Sequence, residues 1–196
     1  GSVYVWQPNE REPVRIADGF GLALAQDGSK AVVISIETPP KVSIVPTGAG
    51  GPQMLDLGSI ESVAWAGWHP DGRLVLELVR PGGKPVVYAL SPEGRDPVAL
   101  LPDGATLRGN NLISPDGSRI VAKDVSGQLV VCTIATPACR PLTGARAPDE
   151  VAGWSADGRS LFVFQREVNP VQIERLDVAS GARSASCSRR SGCCSP

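Results

Sequence analysis

The stretch Trp68-His69-Pro70-Asp71-Gly72-Arg73-Leu74-Val75-Leu76 decides the fold, because its Asp-Gly turn is one of four that recur at near-equal spacing. Gln26-Asp27-Gly28-Ser29, Ser114-Pro115-Asp116-Gly117 and Ser155-Ala156-Asp157-Gly158 each close one apolar run and open another. Asp27, Asp71, Asp116 and Asp157 recur at intervals of 44, 45 and 41 residues. That period, in a chain patterned for strands, is the period of propeller blades with one four-stranded sheet per repeat. The turn chemistry agrees. Proline presets φ, aspartate accepts hydrogen bonds from the amides that follow it, and glycine takes a positive φ. The runs behind the turns are Ala31-Val32-Val33-Ile34, Leu74-Val75-Leu76, Ile120-Val121-Ala122 and Leu161-Phe162-Val163-Phe164. They are apolar almost without a break, as strands covered on both faces are.

Working outward, each repeat divides into an inner, a second, a third and an outer strand. The first predicts strands over 20–25, 30–36, 42–45 and 53–57, and the second over 62–68, 73–79, 85–90 and 97–101. The third predicts 111–114, 119–123, 129–134 and 140–142, and the fourth 151–154, 160–164, 171–176 and 182–184. No stretch of ten residues carries a 3.6-residue apolar period, so almost no helix is expected. The fold class expected is all-β, a partial propeller with blades over 17–58, 59–104, 105–144 and 145–185. Ahead of them, residues 3–16 read as the third and outer strands of a blade without its first half. Residues 1–2, Gly-Ser, read as a cloning scar, and the chain as a piece excised from a longer protein.

The chain has 196 residues, 42% of them hydrophobic, enough for a core. Lys and Arg total 19 against 20 Asp and Glu, a formal net charge of −1, so no basic surplus points to nucleic acid. No apolar run approaches the roughly 20 residues of a spanning helix, so no membrane insertion is expected. Of the five cysteines, Cys132 and Cys139 lie seven apart across a hairpin. They could pair if they face each other, or be two ordinary strand residues. Cys187, Cys193 and Cys194 sit in a Ser/Arg/Cys-rich tail, 186–196, without a histidine or metal-ligand spacing, and the tail is expected to be disordered.

The turns Trp154-Ser155-Ala156-Asp157-Gly158-Arg159, Ser114-Pro115-Asp116-Gly117 and Trp68-His69-Pro70-Asp71-Gly72-Arg73 resemble the TolB-type, WD-repeat-like propeller repeat of bacteria. Two segments, 39–50 and 154–181, are similar to a narrower group: the carboxy-terminal propellers of receptor-like serine/threonine kinases and related regulators. The resemblance spans nearly all of residues 3–183 and implies a bacterial interaction or sensor domain, extracytoplasmic if the kinase likeness holds. The kinase motifs themselves are absent from the sequence.

The recurrence of Asp27, Gly28, Asp71, Gly72, Asp116, Gly117, Asp157 and Gly158 once per repeat marks them as structural turn residues rather than catalytic carboxylates. Trp65, Trp68 and Trp154 lie on or beside inner strands, where they are core residues or, alternatively, a stacking platform for a ligand. The one histidine, His69, has no neighbouring nucleophile and carboxylate in sequence to make it a general base. The connections leading into the inner strands carry polar acceptors: Asp18, Glu61, Asn110 and Asn111, and Asp149 and Glu150. In a propeller such connections line one mouth of the channel, where they would bind a ligand or Ca²⁺, or simply be solvated. Three functional readings follow. The first is a non-enzymatic module for a protein, peptide or small ligand, with no catalytic residues and no cofactor. The alternative is a calcium-dependent lactonase or hydrolase using the acidic mouth, and the third is a structural spacer. The open half-blade also leads us to expect self-association, as a homodimer completing a larger ring.

Overall fold

A computed structural model describes residues 1–6, 11–91 and 93–185. The expected disorder of 186–196, and with it Cys187, Cys193 and Cys194, lies outside the described residues. Every regular element among the described residues is a strand, and no helix long and apolar enough to cross a membrane is present among them. Contacts divide the chain into two compact units, one of residues 1–106 and one from Leu107 onward.

The first unit opens with β1 (Ser2–Val5) and β2 (Val14–Asp18), a two-stranded antiparallel sheet. Then comes a four-stranded meander of β3 (Phe20–Leu24), β4 (Lys30–Ile34), β5 (Val42–Pro46) and β6 (Gln53–Met54). A second meander follows, made of β7 (Ser62–Trp68), β8 (Leu74–Val79), β9 (Pro85–Leu90) and β10 (Val98–Ala99). Their facing sides form one core. Val32, Val42 and Ile44 of the first meander pack with Ala66, Leu74, Leu76 and Leu78 of the second, and Leu57 and Ile60 close its outer end. The apolar runs of β4 and β8 are buried, as strands between two blades must be, and β8 buries Glu77 with them.

The second unit holds β11 (Arg119–Lys123), β12 (Leu129–Thr133) and β13 (Ala138–Pro141) in one sheet. A four-stranded meander of β14 (Asp149–Trp154), β15 (Ser160–Gln165), β16 (Ile173–Asp177) and β17 (Arg183–Ala185) completes it. Its buried side chains include Ile120, Val121, Cys132, Leu161, Val163 and Leu176. Cys132 faces Cys139 in the β12–β13 register, and the two are joined as a disulfide.

Two expectations are corrected. The inner strand over 111–114 is not a strand. Asn111 takes a φ of 48°, which breaks extension at its first residue. The segment is held instead by single bonds, Val121 N–H to the Leu112 carbonyl at 2.9 Å and an isolated bridge of Ile113 with Ile120. The outer strands expected over 53–57 and 97–101 shrink to two residues each, continued only by Leu55 N–H to Val42 O (2.9 Å) and Leu100 N–H to Val87 O (2.8 Å). Short outer strands leave little edge for stray pairing. A register shift in β3, β7 and β14, between Gly21 and Ala23, Val63 and Trp65, and Val151 and Gly153, repeats one bulge in three inner strands.

Candidate functional site

The four repeat turns share one hydrogen-bond pattern. The N–H of Ser29, Arg73, Ser118 and Arg159 donates to Asp27, Asp71, Asp116 and Asp157, each at 3.0 Å. Gly28, Gly72, Gly117 and Gly158 donate to the carbonyls of Ala25, His69, Ser114 and Ser155 at 2.8–2.9 Å, with φ between 65° and 92°. Asp116 is bound hardest. The Ser114 hydroxyl (2.5 Å), with the N–H and hydroxyl of Ser118, holds its carboxyl down at about 2. His69 is tied into its own turn, with Nδ1 2.7 Å from an Asp71 oxygen.

The acceptors expected ahead of the inner strands have separate fates, and Asp149 and Glu150 are the first residues of β14 itself rather than of the connection into it. In the first unit Asp18 is exposed and ion-paired with Arg15, whose hydrogen bond holds its carboxyl below the usual range. Glu61 is exposed, and its N–H donates to Val79 O at 2.8 Å. In the second unit Gly109 bridges in parallel to Val151, which lays Asn110 and Asn111 alongside β14. A Cβ on Gly153 would sit 3.2 Å from that of Asn111. Glu150 pairs with Lys123 at 3.1 Å. Asp149 is fully buried and accepts from Arg146 N–H (2.8 Å), Gln165 (3.1 Å) and Arg183 (2.6 and 3.3 Å). Burial alone would raise its carboxyl, but Arg183 and the other donors bring it below the ordinary value, and Asp149 in turn raises Arg183. With its oxygens so engaged, Asp149 anchors the blade from inside. Among the described residues no three His, Cys, Asp or Glu side chains gather to hold a metal ion.

The tryptophans join one blade to the next. Three residues after the turn aspartate, Lys30 and Arg119 stand over the rings three residues before the next one, Trp68 at 4.3 Å and Trp154 at 4.8 Å. Arg119 also donates to Gly158 O (2.7 Å), and Trp154 Nε1 to Leu112 O (2.8 Å). Trp68 Nε1 is buried without a hydrogen-bond partner. Trp65 lies over Gly67, where a Cβ would come within 2.2 Å of the ring. The pairing of a cation after one turn with a tryptophan before the next was readable in the sequence as a repeat-to-repeat correlation, a signal our turn-by-turn reading did not use.

What sequence reasoning missed is a groove in the first unit. It holds about 330 Å³ and is lined by Val3, Tyr4, Val5 and Trp6 on one side and Gly21, Leu22, Ala23, Leu24 and Ala31 on the other. Its rim is exposed and apolar: Tyr4 at 56%, Trp6 at 61% and Leu24 at 55%. The sequence reading marked the open half-blade of Val3-Tyr4-Val5-Trp6 as a face to be covered by self-association, but it did not give the wall of β3 that lies opposite.

No protein-family model matches the chain, and no curated protein matches it. Solved structures do. TolB of Acinetobacter baumannii aligns with a TM-score of 0.72 at 17% identity, over 94% of this chain and 48% of that one. A putative TolB of Agrobacterium tumefaciens gives 0.66 at 18%, over 87% and 62%. A chain of the nidogen/laminin complex gives 0.65 at 14%, over 88% and 66%. This chain thus spans about half the length of the first TolB. Blades, turns and likeness agree: the fold is that of a TolB-type β-propeller, of which the chain forms a part.

Proposed function

We propose that the chain is a non-enzymatic protein-interaction module whose partner binds the groove between β1 and β3. One observation carries this: the groove is walled by apolar side chains, with Tyr4 and Trp6 exposed on its rim. Exposed aromatic and aliphatic surface of this kind favours a macromolecular partner. The turn aspartates, Asp149 and Glu150 are taken up by contacts within their own unit, which weighs against the calcium-dependent hydrolase. The likeness to one chain of the nidogen/laminin complex supports a binding role by analogy of fold. A longer parent belongs to this reading, with a receptor-like kinase as its expected companion. So does an oxidising compartment, which the Cys132–Cys139 bond favours. The homodimer expected from the open half-blade would bury the Tyr4 and Trp6 rim of this groove.

The test is a displayed-peptide selection run in parallel on the intact chain and on a Tyr4→Lys/Trp6→Lys variant. We expect binders enriched on the intact chain and lost on the variant. Binding that ignores the variant, or thermal stabilisation by millimolar calcium, would favour the mouth-residue readings instead.

A further inference from the structure

The ion pairs of the second unit leave three guanidiniums over. Arg183 and Arg146 close on Asp149 and Glu174, and Lys123 closes on Glu150. Arg175 reaches Asp157 at 3.4 Å and the Ser160 hydroxyl at 2.9 Å. Arg119, Arg140 and Arg159 close on no carboxylate among the described residues. Turn chemistry explains Arg159. It stands two residues past Asp157, as Arg73 stands two past Asp71. Arg73 folds back on its own aspartate, Nε to Oδ2 at 2.9 Å. In the fourth turn that oxygen faces Arg175 from β16, and Oδ1 takes the Ser155 hydroxyl (2.6 Å) and Arg159 N–H (3.0 Å). Arg159 is therefore left exposed with its charge unmatched.

The other two guanidiniums come to the same place. Arg119 reaches from β11, lies over the Trp154 ring at 4.8 Å and donates to Gly158 O at 2.7 Å. Gly158 is the residue before Arg159. Arg140 reaches from β13 and donates to Val178 O at 3.3 Å, and Val178 N–H bonds to Arg159 O at 3.0 Å. Each of these side-chain bonds uses one of a guanidinium's five N–H donors, so most of each fork is left for another acceptor. The nearby carboxylates are engaged in their own turns, Asp116 by Ser114 and Ser118, and Asp177 by Ala179 and Ser180. We infer that Arg119, Arg140 and Arg159 form a receptor for a phosphate group, free or carried as an ester on a partner chain. A carboxylate offers two oxygens and one charge, which a single fork satisfies. Three forks around one residue suit the larger, doubly charged phosphate. Arg119 and Arg140 are held by their carbonyls, and Arg119 also by the indole, before a ligand arrives. Binding then has chiefly Arg159 to order, which lowers its entropic cost. The site lies in the second unit and is cationic, so it stands apart from the apolar groove of the first.

Isothermal titration calorimetry on the intact chain at fixed ionic strength tests this. The probes are inorganic phosphate and a phosphoserine peptide without other charged side chains. We expect saturable binding of at least one probe, weakened about ten-fold by Arg159→Gln and by Arg140→Gln. Both residues are exposed, so these variants fold. Arg73→Gln, at the matching turn position in the first unit, should leave the affinity unchanged, and the unphosphorylated peptide should not bind. Binding of the peptide alone makes the ligand a phosphorylated partner, and equal binding of inorganic phosphate makes it the free ion. Absence of saturable binding by either probe at millimolar concentration overturns the proposal. So does affinity that Arg159→Gln and Arg140→Gln leave untouched, or that Arg73→Gln lowers as much as they do. Equal binding of the unphosphorylated peptide overturns it as well.

Discussion

Asp116 shows how one side chain fixes a turn and couples it to pH. The Ser114 hydroxyl, then the Ser118 amide and hydroxyl, favour its ionised form. With a folded value of about 2 and an unfolded value near 3.9, the group stabilises the fold fully above about pH 4, and that contribution is lost as pH falls through about 2. Asp27 and Asp157 are lowered by hydrogen bonds of the same kind. Urea midpoints should therefore be flat from pH 7 to about 5 and drop between about 4 and 2, and Asp116→Asn should shallow that drop. The tryptophans make a second contrast. Trp154→Phe removes one of the two bonds to the Leu112 carbonyl, which keeps Val121 N–H, and should cost about 1 kcal/mol by denaturant titration. Trp68→Phe removes a buried donor that bonds to nothing and keeps a ring under Lys30, so it should be neutral or slightly stabilising. Asp71-Gly72 and its three counterparts were legible because each turn needs those residue types. Asp149 was not. Its acidic type suggested a solvated mouth, whereas Arg183, 34 residues away, makes it an internal anchor.

At the scale of elements, second strands were the most legible. Arg119–Lys123 matches its expected bounds and the other second strands differ by at most two residues, because burial on both faces forces a continuous apolar run. The third blade's inner strand was not, since Asn111 takes a positive φ that its residue type allows but does not require. Outer strands were overdrawn for a like reason: Leu55, Leu57, Leu100 and Leu101 are apolar to pack under the sheet, and only Gln53–Met54 and Val98–Ala99 pair within it. The β12–β13 hairpin was left open between a bond and two free thiols, and register settled it by placing Cys132 opposite Cys139. Cross-linking so short a loop should stabilise by about 2–3 kcal/mol in the chain-entropy picture. Reduction with dithiothreitol should lower the melting temperature by several degrees, with no such change in a Cys132→Ala/Cys139→Ala variant.

For the molecule as a whole, the period of the turn aspartates was enough to read four blades, and Val3-Tyr4-Val5-Trp6 enough to read half of another. The groove was not legible, because it is the shape left between β1 and β3, and no residue announces it alone. Repeat proteins draw stability from each neighbour interface, so an element with a free edge and an uncovered face should open first. Hydrogen exchange followed by mass spectrometry on the isolated chain tests this directly. The account expects β4, β8, β11 and β15 to exchange slowest and β1–β2 fast, with an open strand edge facing solvent. Protection across residues 2–18 equal to that of β8 would contradict it, for the groove would then be closed and unable to receive a partner.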